Sequence, residues 1–208
     1  MEPEIKIKLE NRAQPMKSNL KTSPSVDLGE KAAQNILAFI GENLSREGLT
    51  RTPHRFSKAL AELTEGYHLT VAEIVGKGVF QSEGAGLVSV RKIEFYSLCE
   101  HHLLPFWGTL SVAYYPNKKI VGLSKIPRLV NLFSRRLQVQ ERLTNQVADA
   151  MVEILKPRAV AVRAKACHLC MMMRGVEKQQ SETLTETVRG LNSLEPYEQE
   201  RLWEALAD

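Results

Sequence analysis

Apolar positions along the chain change period twice, and those changes divide it into helices, two strands, two more helices and two more strands. Between residues 28 and 45, Ala33, Ile36, Leu37, Ile40 and Leu44 recur at the spacing of one helix face, and Asp27 stands where an N-cap would. Phe56, Ala59, Leu60 and Leu63 repeat the pattern after Thr52-Pro53, a cap followed by a first-turn proline, and Gly66 supplies a stop. From about residue 87 the period drops to two. "LVSVRKIEFYSL" and "GTLSVAYYP" alternate and carry β-branched and aromatic residues, so both predict strands. Helical spacing returns with Ile126, Leu129, Val130 and Phe133, and again with Leu143, Val147, Met151 and Ile154. Ser124 is placed to cap the first of these helices, and Pro127 is tolerated in its opening turn. After Pro157, "AVAVRAKACHLCMMMRG" predicts one long strand over 159–173 and "SETLTETVRG" its antiparallel partner. A short helix over 195–206 carries Leu202, Trp203 and Leu206. This order predicts an α+β domain whose antiparallel sheet is covered on one face by helices. Residues 1–26 show little periodicity and predict a mobile arm.

Composition narrows the class without choosing a chemistry. The 208 residues suffice for one well-filled domain, and 43% hydrophobic with 25% charged residues is ordinary for a globular protein. No apolar run approaches the roughly 18 residues that span a bilayer, and the first residues lack a signal peptide's apolar core, so a cytoplasmic setting is expected. A net charge of +4 describes a slight cationic excess on a solvated surface. Three cysteines, Cys99, Cys167 and Cys170, are too few and too odd a set for a disulfide framework and suggest thiols or metal ligands.

The segment "SLCEHHLLPF" lies between the first two strands and packs Cys99, Glu100, His101 and His102 together. "ACHLCMMMRG" adds Cys167, His168 and Cys170. At face value C-x-x-H with C-x-x-C makes a closed four-ligand zinc knuckle. Alternation along a strand over 159–173 argues otherwise, because His168 and Cys170 would share one face while Cys167 points the other way and packs as a small hydrophobe. The set left is Cys99, His102 and Cys170, three ligands with one open position, the pattern in which a zinc ion activates water. His101 and His168 remain beside it as proton carriers. Lys125 and Arg128 share the first turn of a helix, and Arg174 lies four residues past Cys170, so three cations suit a polyphosphate. Glu141 offers a carboxylate able to accept from the paired N–H donors of guanine, which adenine lacks, although spacing alone does not single it out.

These stretches, with "EGLTRTPHR", "CEHHLLPFWG", "GLSKIPR", "RRLQVQERLT", "CHLCMMMRG" and "SETLTETVRG" in order over residues 28–207, resemble the GTP cyclohydrolase I family. The resemblance implies the T-fold (tunnelling fold): a four-stranded antiparallel sheet over 87–190 with two helices on one face, and a helical extension over 27–70. It also implies subunit sheets joined into barrels, usually a homodecamer of two pentamers with active sites between subunits. By position, Cys99, His102 and Cys170 match zinc ligands and His101 and His168 match acid–base histidines. Lys125, Arg128 and Arg174 match triphosphate binders, and Arg55 matches an arginine lent by a neighbouring subunit. Gln140 and Glu141 match a guanine-recognising pair, and Ser124 matches a serine of the later sugar rearrangement. Cys167 stands where the family carries other small residues, leaving a C-x-x-C pair open to oxidation.

The implied reaction converts GTP to 7,8-dihydroneopterin triphosphate and formate, the first step of pterin- and folate-type biosynthesis. Water adds to C8 of guanine while His168 protonates N7, a second hydrolysis releases formate, and the opened ribose rearranges and closes into the pterin ring. Two alternatives belong beside it. One is a T-fold GTP hydrolase with a different end product, against which Ser124 speaks. The other is a non-catalytic zinc module that binds nucleic acid, a class that calls for a closed site and a basic stripe with exposed aromatics. Here acidic residues interrupt the basic ones and aromatics are only 6% of the chain, so neither nucleic acid nor membrane is expected as a partner.

Overall fold

The computed structural model describes residues 25–84 and 86–207, so the expected arm lies outside the described residues except for Ser25 and Val26. Those two already begin helix α1 (Val26–Phe39), whose cap is Ser25 rather than Asp27: the Leu28 N–H donates to Ser25 Oγ at 3.4 Å. The helix stops at Phe39, short of the expected residue 45, because Gly41 at φ +82° turns the chain and the Glu42 N–H closes on the Leu37 carbonyl. Helix α2 (Thr52–Leu63) lies against α1, with Ser57 Oγ donating to the Val26 carbonyl and Ala33 and Leu37 buried. Ile36, Ile40 and Leu44, expected on that buried face, are exposed here, and Phe39 is 90% exposed. The apolar face of α1 is wider than α2 can cover.

Gly66 lies beyond the end of α2 and has a different task from stopping it. Its N–H donates to the Arg135 carbonyl at 3.0 Å, and a Cβ there would come within 2.2 Å of the Leu132 carbonyl oxygen. Only glycine lets the chain approach the end of helix α4 (Lys125–Ser134) so closely. Between them run α3 (Val71–Val75) and β1 (Val79–Gln81), which pairs with β4 (Lys119–Val121) in a small sheet not expected from the sequence.

The main sheet holds β2 (Val88–Cys99), β3 (Pro105–Tyr115), β6 (Ala159–His168) and β7 (Thr183–Arg189), all antiparallel in the order β2-β3-β6-β7. A two-residue strand β5 (Leu137–Gln138) adds itself parallel to the end of β2, making five strands where four were expected. Even-numbered residues of β3 and β6, among them Phe106, Leu110, Val162 and Ala164, face α4 and α5 (Gln140–Leu155). They meet Leu129, Leu143, Val147 and Met151 there, each fully buried large side chain contributing about 1.5–3 kcal/mol. The opposite face is not bare, contrary to expectation. Helix α7 (Pro196–Glu204) and the turn after it set Leu202 and Leu206 on Ala113, Tyr115, Ala159 and Ala161. No helix among the described residues is long and apolar enough to cross a membrane.

Register decides what meets at the other end of the sheet. Leu98 pairs with Pro105, Phe106 with His168, and Cys99 with Gln138, so four chain segments converge there. Gly66→Ala should push the chain off α4 and lower stability by about 1–3 kcal/mol, read as a lower urea midpoint at unchanged slope.

Candidate metal centre and active site

Cys99 ends β2 on the same face as Ile93 and Phe95 and is buried. Beyond it the chain turns tightly. The Leu103 N–H donates to the Cys99 carbonyl at 2.8 Å, and the Cys99 N–H donates to the Leu104 carbonyl at 2.9 Å. Closing that turn holds Leu103 at φ +56°, a conformation that costs a non-glycine residue about 1–2 kcal/mol. In exchange His102 Nδ1 comes to 3.7 Å and His101 Nδ1 to 3.9 Å from Cys99 Sγ.

Cys170 arrives by a route that differs from the expected one. Strand β6 ends at His168, and Cys170 lies in the single helical turn α6 (Leu169–Met172). The physical reason is the lack of a partner: β3 pairs with β6 no further than Phe106 with His168, so the next backbone groups satisfy themselves locally, Met173 N–H donating to Leu169 O. Alternation therefore separates Cys167 from His168 as expected, but it does not extend to Cys170 or Arg174. Cys99, His102 and Cys170 nonetheless offer ligand atoms that all lie within 4.8 Å of one another. Cys167 is outside this group. It is half-buried and lines a pocket on the opposite sheet face with Trp107 and Lys92, so it is not the core hydrophobe expected.

The donor set suits a metal ion. Tetrahedral bonds of about 2.0–2.3 Å from thiolate and imidazole place ligand atoms about 3.5–4 Å apart, so the group closes on an ion with side-chain movements of about an ångström. Without one, burial and then the neighbouring Cys99 sulfur push the Cys170 thiol up from its ordinary pKa. A cation between the sulfurs reverses that preference. Arg174 donates to His102 Nε2 at 3.2 Å, the nitrogen on the far side of the ring from Cys99.

His168 sits beside this group, stacked on Phe106 with ring centroids 4.6 Å apart and planes 3° from parallel. Burial pushes its pKa down and the nearby Glu141 carboxylate opposes the shift. Glu141 is exposed in the first turn of α5 and its carboxylate has no hydrogen-bond or ion-pair partner among the described residues. Its neighbour Gln140 is the reverse: buried, with its amide bonded to His168, Ala164, Thr183 and Thr185. Lys125 Nζ donates to the Ile74 carbonyl at 3.0 Å, and Ser124 makes no capping bond, contrary to expectation. Ser124, Arg128 and, on α2, Arg55 are exposed. Among the described residues, no hydrogen bond or ion pair joins Arg55, Ser124, Lys125 or Arg128 to the Cys99–His102–Cys170 group.

A family model described as GTP cyclohydrolase I matches residues 29–207. The chain belongs to the GTP cyclohydrolase I family. The GTP cyclohydrolase 1 of Deinococcus radiodurans is 57% identical over 167 residues, 80% of this chain and 77% of its own. That of Leptospira biflexa is 56% identical over 167 residues, 80% of this chain and 91% of its own. A Campylobacter jejuni enzyme of the same name is 54% identical over 162 residues, 78% of this chain and 85% of its own. The crystal structure of an archaeosine synthase QueF-Like in the apo form overlaps 52% of this chain and 97% of its own at TM-score 0.44 and 17% identity, too slight a likeness to bear weight.

For this GTP cyclohydrolase I family member, sequence reasoning missed what stands behind the ligand turn. Glu100, between Cys99 and His101, accepts both guanidinium arms of Arg142 on α5, and its N–H donates to the Gln138 carbonyl. Gln138 is buried and donates to Phe133 O and Gln146 Oε1. The partners are tens of residues apart, and no local spacing announces them.

Cys99→Ser, His102→Ala and Cys170→Ser should each lose tightly bound metal while Cys167→Ser retains it, as metal analysis after dialysis would read. The Arg142 guanidinium holds the Glu100 carboxyl below the usual carboxylate range, so the pair contributes stability above the unfolded pKa of about 4.3 and loses it as pH falls through the lower folded value. The gap in urea midpoint between wild type and Glu100→Gln should therefore hold steady above about pH 5 and shrink below about pH 4.

Proposed function

We propose that this chain converts GTP to 7,8-dihydroneopterin triphosphate and formate, with Cys99, His102 and Cys170 holding zinc. The observation that carries the reading is one juxtaposition. Two thiols and an imidazole converge within 4.8 Å of one another, in a family member whose unpartnered carboxylate and half-buried histidine stand alongside. When bound, zinc supplies a Lewis acid that makes water a nucleophile near neutral pH.

The chain's own residues do the rest. Glu141 accepts the N1–H and 2-amino donors of guanine, a role its free carboxylate suits. His168 holds a proton for N7 as C8 is attacked and the imidazole ring opens. Its depressed pKa makes it a ready donor once charged. Lys125, Arg128 and Arg174 hold the triphosphate, and His101 and Ser124 move protons in the sugar rearrangement. Gln140 contributes to base recognition through its main chain, since its amide is already bonded within the protein.

The working unit is a homodecamer of T-fold subunits in the cytoplasm, with Arg55 completing a neighbour's site. Three features support assembly. The apolar surface of α1, with Phe39 and Ile40 exposed, asks for cover. The outer edge of β7 and most of the outer edge of β2 carry no strand among the described residues, so sheets can join edge to edge into a barrel. Arg55 is exposed and has no bond to the ligand group of its own subunit.

Zinc-loaded protein incubated with GTP should release formate and give a fluorescent pterin after oxidation; formate without pterin would indicate a different end product. Wild type should bind GTP, then ITP, then ATP in falling order by calorimetry, because each loses a donor that Glu141 accepts. Glu141→Ala should narrow those gaps, whereas Arg128→Glu should weaken all three alike.

A further inference from the structure

Gln140 is 1% exposed, yet every polar atom of its side chain is engaged, and the direction of each bond is determined. Its Nε2 lies 3.0 Å from the Ala164 carbonyl and 2.9 Å from the Thr183 carbonyl, groups that only accept. The amide nitrogen must therefore face them, and Oε1 must face the other way. A hydroxyl relay agrees. Thr144 Oγ1 donates to the Gln140 carbonyl at 2.7 Å, so it accepts from Thr185 Oγ1 at 2.7 Å, which in turn accepts from Gln140 Nε2 at 3.2 Å. One orientation of the amide aims its two N–H groups at these three acceptors, one hydrogen being shared between two of them.

Gln140 Oε1 then stands 2.8 Å from His168 Nε2 and can only accept. Stacking on Phe106 fixes the plane of the imidazole ring, and a half-turn within that plane would put Cε1 where Nε2 stands and lose the bond to Gln140. His168 Nδ1 has no hydrogen-bond partner among the described residues, which leaves it as the nitrogen open to a ligand.

We propose that Gln140 is a positioning residue that locks His168 in the Nε2–H tautomer, so that Nδ1 is the atom facing substrate. This deepens the function proposed above and rests on it for the word substrate, but the tautomer itself does not. A histidine whose free nitrogen is fixed presents a lone pair, or a proton after charging, at one place, and the reacting purine meets no mixture of tautomers. The sequence motif "VQER" thus divides its labour. Glu141 reads the base from outside, and Gln140 works from behind the histidine.

The test starts with wild type. Zinc-loaded full-length protein labelled with ¹⁵N-histidine, studied by magic-angle-spinning NMR at a pH where His168 is neutral, distinguishes protonated from bare ring nitrogens at any assembly size. The His168 signals are assigned by their loss in His168→Asn. A protonated Nε2 and bare Nδ1 are expected; a protonated Nδ1 with bare Nε2 overturns the proposal. Kinetics supply a second reading. Gln140→Leu should lower kcat by about 10- to 100-fold, the usual effect of removing a partner that orients a working histidine, with KM for GTP within about threefold. Gln140→Glu, neutral in this buried setting and able both to accept from His168 and to donate to a carbonyl, should recover most of that loss. A raised KM with a narrowed GTP-to-ATP gap in Gln140→Leu would make the amide a base reader and sink the positioning role. If Gln140→Leu does not fold, the wild-type spectrum and Gln140→Glu still decide. Absence of formate and pterin from wild type would overturn the reaction while leaving the tautomer result intact.

Discussion

Strand β3 is the constraint on which the rest of the molecule depends. It pairs with β6 from Phe106 to Tyr115 and with β2 along most of its length, and the pairing is antiparallel on both sides. Its even residues bury against α4 and α5, so a slip of one residue would turn Phe106, Leu110 and Val112 out of the core. Because that register is so costly to change, the positions of Cys99 at the end of β2 and His168 at the end of β6 follow from it. The chemistry-bearing groups do not need to find each other. They are delivered to one end of the sheet by hydrophobic pairing elsewhere.

Side chains behind the site then turn proximity into geometry. The Glu100–Arg142 pair ties the ligand turn to α5, Gln138 anchors the same turn from β5, and Gln140 bonds to His168 from within the core. These contacts explain why α5 begins where it does. Its first three residues, Gln140, Glu141 and Arg142, point respectively inward to His168, outward without a partner, and across to Glu100. One helical turn thus holds a histidine, presents a carboxylate and braces the ligand turn.

Much of this was legible in the order of residues. Periodicity located β2, β3, α4, α5, β6, β7 and α7, because amphipathic faces that pack on a single core leave a strong signal. It failed where tertiary partners decide. Nothing local told the chain that β6 would lose its partner after His168, so Cys170 was expected on a strand and lies on a helical turn. Gly66 read as a helix stop because its real neighbours, the carbonyls of Leu132 and Arg135, are far away in sequence. The apolar stripe of α1 was visible, but α2 leaves its outer half uncovered. In the site, clustering of Cys and His was informative, whereas Glu141 and Gln140 looked like adjacent polar residues. Burial separates them, and burial is set by the helix's rotation on the sheet.

The Cys99–His102–Cys170 group is shared between chain segments about seventy residues apart, and that separation has a meaning in time. A chain emerging from synthesis presents Cys99 and His102 well before Cys170 exists, and two ligands alone form a poor site. Bringing all three together requires β6 to dock on β3, with α4, β5 and α5 lying between them in the chain. A metal held by all three would then mark finished folding. An ion that binds the folded arrangement and not the extended chain would fasten the two halves of the sheet together.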